Sequence, residues 1–414
     1  MTRNVECRGC RGSSLVRIFS LGVQPPANAF LRQADVGKPE LAFPLDLYFC
    51  RDCALVQLRD IVSPELLFKN YVYVSSTSPA FAAHFQSFAD GVIRRLALGP
   101  SSLVVDIGSN DGILLKPFLE RSMRVLGVDP AEKIAAEASA AGIETVPRFF
   151  TPEVARDIAA RHGRAAPITA TNVFAHVNDL DELVAGVKIL LADDGVFIIE
   201  AAYLVDFLEK NLFDTVYHEH LSYFSVSSLQ ALLERLGMEI FDVEKTDSHG
   251  GSLRVFAARR EAARGAGEAV RGFIADERAR GLDTREVYEN FTQRVEQNKK
   301  ELTALLKKIK TEGRTIAGYG APAKGNTLLN YCGIGIETLD YIVDDSEWKQ
   351  GLYTPGAHIP VVSAAHLSEK KPDYILILAW NFADSIMQKL EWFSRAGGAF
   401  IIPVPAPRVI LTRK

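Results

Sequence analysis

The sequence predicts an α/β protein with two open, mostly parallel sheets and a small cysteine-bound module at its N-terminus. Three observations carry this. Apolar runs of strand length alternate with helical patterns between residues 102 and 202, and the same rhythm returns after residue 314. Four of the five cysteines also form two C-x-x-C pairs, Cys7 with Cys10 and Cys50 with Cys53. Alternation of this kind places helices on both faces of a parallel sheet. The 414 residues are 48% hydrophobic and 24% charged, enough for several cores. At roughly 100–200 residues per domain, the length allows about two to four domains. This composition excludes disordered and collagen-like classes. No apolar run approaches the ~20 residues that span a bilayer, and YILILAW (374–380) reads as a buried strand. The opening MTRNVECRGC lacks the apolar core of a signal peptide, so a cytoplasmic location is expected. A net charge of −4 disfavours a bulk polyanion binder, and neither a nucleic-acid nor a membrane partner is expected.

The N-terminal module comes first. Two C-x-x-C units in such a chain read as a four-thiolate zinc site of Cys7, Cys10, Cys50 and Cys53, with a disulfide or redox pair as the alternative. Four thiolates saturate the metal and leave no position for water, so the zinc is expected to be structural. The insert between the pairs, with Gln24-Pro25-Pro26 and Lys38-Pro39, reads as a loop embedded in a β-rich module without a basic cluster. Residues 60–100 hold SPELLFKNYVYVSSTS and the helical pattern PAFAAHFQSFADGVIRRLAL.

The alternating region then follows. SLVVDIG (102–108) is a strand, DGILLKPFLERS a helix and RVLGVDP (124–130) a second strand; AEKIAAEASAAG is a helix, ETVPRFF a third strand and TPEVARDIAARH a helix. PITATNVFAHV, DLDELVAGVKILLADDG and VFIIEAA continue the rhythm. Residues 259–312 are charge-rich and helical, with a solvated face, and bridge to RTIAGYGAPAKGNTLLNY, a strand, glycine-rich turn and helix. TLDYIVDDS, PDYILILAW and GAFIIPVP complete a second sheet. The expected units are 1–60, 61–255 and 256–414.

Four motifs could carry chemistry. Asp106-Ile107-Gly108-Ser109-Asn110-Asp111-Gly112 closes a strand and opens a helix, and Asp129 ends the next strand, where a carboxylate can accept ribose hydroxyls. This D-x-G-x-x-x-G succession resembles class I S-adenosylmethionine-dependent methyltransferases, with Asn110 at their usual central glycine. Phe149 or Phe150 could pack on adenine, or serve the core. Tyr217-His218-Glu219-His220 is the densest titratable cluster, and histidine suits proton abstraction near neutral pH. Its H-E-H spacing lacks the geometry of a metal-binding helix. His249-Gly250-Gly251-Ser252-Leu253-Arg254 offers amides, the Ser252 hydroxyl and the Arg254 guanidinium to a phosphate, or is a tight turn. Gly318-Tyr319-Gly320-Ala321-Pro322-Ala323-Lys324-Gly325-Asn326 suits the phosphates of a dinucleotide or of a sugar nucleotide, or is a turn without a ligand.

Together the four-cysteine module, YVYVSSTS, DIGSNDG, YHEH, HGGSLR and GYGAPAKGN look like the NDP-sugar C-methyltransferase family. The resemblance covers essentially the whole chain. It implies a zinc-binding module, a class I methyltransferase Rossmann-like domain using S-adenosylmethionine and a C-terminal Rossmann-like nucleotide-binding domain. It further implies methylation at C3 of an NDP-linked 4-keto sugar, with dTDP a candidate carrier; a monomer is a candidate state that neither the resemblance nor the residues decide. His220 would abstract the C3 proton, Glu219 support it and Tyr217 line the pocket, with Tyr71 or Tyr73 near the C4 oxygen. Asp106, Gly108, Asn110, Gly112, Asp129, Phe150 and Asn172 would border the cofactor. Asn172 and His176 would sit beside the sugar, and Ser252, Arg254, Tyr319, Lys324 and Asn326 would serve the rest of the substrate. The competing readings are a sugar O- or N-methyltransferase, an NAD(P)-dependent oxidoreductase, and a zinc-ribbon nucleic-acid binder.

Overall fold

The computed structural model describes residues 1–68 and 79–411, so Tyr71 and Tyr73 lie outside the described residues. The N-terminal part supplies β1 (Leu15–Gln24), β2 (Phe43–Cys50) and β3 (Val56–Leu58). The middle supplies β4 (Leu103–Ile107), β5 (Arg124–Val128), β6 (Thr145–Val146), β7 (Ala165–Thr171) and β8 (Leu191–Ala202). It continues with β9 (Ser222–Tyr223), β10 (Met238–Thr246) and β11 (Ser252–Arg259). Last come β12 (Ile316–Tyr319), β13 (Ile342–Val343), β14 (Val361–Val362), β15 (Tyr374–Ile377), β16 (Ala399–Ile402) and β17 (Arg408–Leu411).

The central sheet has the order β10-β11-β8-β7-β4-β5-β6. Its strands β4 to β8 are parallel, and β11 runs antiparallel to both of its neighbours. This is the mostly parallel sheet that the alternation predicts, and its strand order fits the class I methyltransferase domain that the resemblance implies. Every residue of β4 is buried, as a strand covered on both faces requires. The C-terminal sheet, β14-β13-β12-β15-β16-β17, is parallel except for its edge strand β17.

The covering helices include α1 (Pro79–Leu96), α2 (Pro152–His162), α3 (Leu180–Leu190) and α4 (Val226–Arg235). Helix α3 starts where the Asp179 carboxylate accepts from the Glu182 amide at 3.0 Å, and it buries Leu180, Leu183, Val184, Val187 and Leu190 along one stripe. Ser225 and Ser228 cap α4 reciprocally. The long helical stretch is divided into α5 (Glu268–Ala279) and α6 (Glu286–Thr311), with Gly281 at φ +73° between them. Helix α7 (Ala323–Cys332) follows β12.

Two elements are shorter than their sequences suggest. Within DGILLKPFLERS only Lys116–Glu120 is helical, because Pro117 belongs in a first turn. In ETVPRFF only β6 forms, since Pro147 has no amide to give a ladder.

The first sheet departs from expectation in a way that matters for the site. Its order is β9-β3-β2-β1, so a strand from beyond residue 220 completes a module that the sequence placed within 1–60. Phe291 of α6 meets Phe19 of β1 at 5.6 Å and Phe207 at 4.9 Å between ring centroids, wedging the bridge helix between module and centre. One core cluster runs from Cys7 to Val404 through all three sheets. Among the described residues no helix is long and apolar enough to cross a membrane.

Candidate active site and metal centre

The four sulfurs of Cys7, Cys10, Cys50 and Cys53 lie within 4.8 Å of one another. Cys7–Cys53 and Cys10–Cys50 are both 3.6 Å apart. A tetrahedral zinc with Zn–S of ~2.3 Å places its sulfurs ~3.8 Å apart, so the donor set fits that ion. Donors also point at the sulfurs, as thiolates require: Gln57 Nε2 reaches Cys7 Sγ at 3.0 Å, and the Gly9 and Gly12 amides stand 3.4 Å from Cys7 and Cys10.

The strand ends β4 and β5 form the second cluster. Asp129 accepts the Asn110 amide on one carboxylate oxygen and the Ala131 amide on the other, each at 2.9 Å. Asp106 accepts the Thr169 hydroxyl at 2.6 Å, and burial pushes its carboxyl up to about 7. Gly108 adopts φ +71°, and a Cβ there would stand 2.7 Å from Val173. Asn110 and Gly112 also have positive φ. The turn is therefore a close-fitting cradle beside two acids, which suits the amino and hydroxyl groups of S-adenosylmethionine. Phe150 takes the core alternative, because its ring packs where a Gly186 Cβ would come within 2.8 Å.

The third cluster surrounds YHEH. The His220 amide bonds the Tyr217 carbonyl at 2.9 Å, closing the tetrapeptide into a turn. His220 Nδ1 lies 2.8 Å from the Thr215 carbonyl oxygen. A carbonyl only accepts, so Nδ1 carries a proton, and in the neutral imidazole the lone pair then sits on Nε2. The Tyr217 ring lies 3.9 Å from the imidazole and the His176 ring 4.9 Å, between centroids. Glu219 is 3% exposed, and burial pushes its carboxyl up to about 7. Burial holds His218 below its ordinary value, and its Nε2 faces the Phe43 carbonyl at 3.2 Å. Asn172 ends β7 at φ +56°, its amide bonded to the Glu200 carbonyl.

The structure thus brings the rings of Tyr217, His220 and His176 together, with Glu219 between the two histidines of the same turn and its carboxyl on Asn28. The other substrate candidates lie elsewhere. Arg254 donates from Nε and Nη2 to buried Glu200, at 2.9 and 2.7 Å, stands 3.6 Å from Glu244 and stacks on Phe88. The sequence expected a phosphate ligand there; a buried acid needs a counter-charge, and Arg254 supplies it. Glu200 also meets His84 at 2.6 Å and Ser248 at 3.1 Å. Ser252 is buried on the Ser248 carbonyl, and the Tyr319 hydroxyl donates to Asp345. Lys324 lies 3.7 Å from the Trp380 ring centroid and bonds Asn381 Oδ1 at 2.5 Å. Trp380 in turn donates to Asp214 at 2.5 Å. Burial lowers Lys324 to about 8 and raises Asp214 to about 6. Asn326 bonds the Ala27 carbonyl at 2.7 Å. Glu200, His84, Asp214, Trp380 and Asn28 were not singled out from the sequence. Only Trp380, an aromatic at a strand's C-terminal end, had a position that could have flagged it.

Comparison with known proteins shows what the chain as a whole is similar to. Family models for a C-methyltransferase C-terminal domain, a zinc binding domain and a methyltransferase domain match residues 247–405, 7–68 and 81–243. The C-methyltransferase NovU of Streptomyces niveus is 41% identical over 405 residues, covering 98% of this chain and 96% of NovU. The chain belongs to the C-methyltransferase family. This C-methyltransferase is also 26% identical, over 202 residues, to a ubiquinone biosynthesis O-methyltransferase of Methylobacterium sp. (strain 4-46), covering 44% of this chain and 79% of that protein. A solved magnesium protoporphyrin IX methyltransferase (ChlM) from Synechocystis PCC 6803 with bound SAM is 18% identical, at TM-score 0.32, over 44% of this chain and 81% of ChlM. S-adenosylmethionine is the methyl donor of this C-methyltransferase, and zinc is its metal.

Proposed function

We propose that the chain methylates C3 of an NDP-linked 4-keto sugar, a dTDP-sugar among the candidates, after His220 removes the C3 proton. The observation that carries this reading is the His220 tautomer fixed by the Thr215 carbonyl, which leaves Nε2 as the proton acceptor. A C4 ketone acidifies the C3 hydrogen, and proton loss gives an enolate with charge on O4. Tyr71 or Tyr73 is assigned to that oxygen, where a positioned donor stabilises charge as it develops. Tyr217 and His176 border the imidazole and line the sugar pocket, and Glu219 supports the imidazolium. S-adenosylmethionine supplies the electrophilic methyl group, held by Asp106, Gly108, Asn110, Gly112 and Asp129 with Asn172 alongside. The C-terminal unit anchors the nucleotide, with Lys324 as its cation.

The test pairs solvent-deuterium exchange at C3 with product analysis by mass spectrometry. Wild-type enzyme should wash deuterium into C3 and yield a C-methyl product. His220→Asn should lower turnover by about 10²–10⁴-fold, the usual contribution of a general base, with both ligands still bound. An O-methyl product without C3 exchange would refute the enolate mechanism.

A further inference from the structure

We propose that the N-terminal module supplies a positioning residue to the reaction: Asn28, whose side-chain amide holds the carboxyl of Glu219, the residue before His220 in the YHEH turn. Asn28 Nδ2 donates to Glu219 Oε1 at 2.7 Å across 191 residues of chain. Glu219 is almost fully buried, and among the described residues this amide is the side-chain donor that reaches it. A buried carboxyl needs such a partner, and a neutral amide satisfies it without fixing its charge.

Asn28 is itself held from two sides. The Ala29 amide bonds Pro26 and the Phe30 amide bonds the Asn28 carbonyl, which curls the segment into a turn. Asn326 of α7 donates to the neighbouring Ala27 carbonyl, and Leu31 exchanges two backbone hydrogen bonds with Tyr353 at 2.8 and 2.9 Å. The C-terminal unit thus fixes the segment from which Asn28 reaches the YHEH turn.

That turn is pinned at three consecutive residues: His218 on Phe43 of β2, Glu219 on Asn28, and His220 on Thr215. Two of the three pins come from the cysteine module. Removing the middle one frees the turn to shift, and a displacement of about 1 Å at a reacting group can cost about a hundredfold in rate. Glu219 titrates in an environment with two opposing influences, burial raising it and Asn28 lowering it. His218 and His220 flank it on its own turn.

The experiment compares Asn28→Leu, nearly isosteric and with neither donor nor acceptor, with Asn28→Ala. The first readout needs no substrate: the pH dependence of thermal melting carries the Glu219 titration beside those of Asp106 and Asp214, and the difference between variant and wild type isolates it, with an upward move expected in both variants. The second is turnover. The inference rests here on the 4-keto sugar reading, so kcat should fall about ten- to a hundredfold. KM and zinc content should stay within about twofold, and the rising limb of kcat against pH should move upward. A purely structural role would lower melting alone. Folded variants with the wild-type titration and kcat would overturn the inference. A wild-type enzyme that turns over no 4-keto sugar would instead refute the substrate reading, with the melting readout still deciding the Asn28 contact. If Asn28→Ala does not fold, Asn28→Leu alone decides it.

Discussion

Glu219 has the most readable chemistry of any single residue, because its environment titrates it near neutrality. A carboxyl raised on folding contributes stability that is complete below its ordinary value of 4.5 and is lost as pH climbs through about 7. Asp106, raised to about 7, and Asp214, raised to about 6, act in the same direction. Lys324, lowered to about 8, acts mainly above this window. Ligand-free protein should therefore melt at falling temperature between about pH 5 and 7.5. Glu219→Gln, with no proton to lose, should flatten part of that fall. Its share is at most about 3 kcal/mol, since each pH unit between the folded and unfolded titrations corresponds to about 1.36 kcal/mol. Scanning calorimetry at stepped pH checks it. The sequence exposes YHEH because four polar or titratable residues stand together. It conceals Asn28, since an asparagine after two prolines reads as a loop until its distant partner is known.

At the scale of elements, the turn after β4 is the sharpest case. Gly108 adopts φ +71° and abuts Val173, so Gly108→Ala carries both a left-handed penalty of roughly 1–2 kcal/mol and a steric clash. Affinity for S-adenosylmethionine should fall about tenfold or more, since 1.4 kcal/mol is tenfold; isothermal titration calorimetry measures it. This turn was legible because strand, glycines, helix and acid follow one another in sequence. The alternation of apolar runs likewise marked the parallel strands of both sheets. Boundaries moved where proline intervened, at Pro117 and Pro147. Strand β9 was illegible for a different reason: two residues carry no period, and its pairing partner lies in β3.

For the whole molecule, the joint between cysteine module and methyl-transfer unit is built on Arg8, between two metal ligands and 1% exposed. Its guanidinium donates to the Leu221 carbonyl at 2.9 Å and the Leu58 carbonyl at 3.0 Å, and reaches Asn178. Arg8→Ala would remove these charge-assisted hydrogen bonds, worth about 1.5–3 kcal/mol each, while the Leu221 carbonyl keeps the Leu58 amide and Asn178 Oδ1 keeps the Asn4 side-chain amide. It should lower unfolding free energy by about 3 kcal/mol or more, read from urea melts, while metal analysis finds zinc retained. Strand β9 gives the same joint a consequence for biosynthesis. A nascent chain leaves the ribosome N-terminus first, so all four cysteines emerge long before residues 222–223. The metal can bind early, but the β3 edge stays without β9 until more than half the chain has been made. An unpaired edge is a template for association with other chains. Zinc delivered during translation would hold that edge in shape while it waits, making metal supply a determinant of soluble yield as well as of final stability.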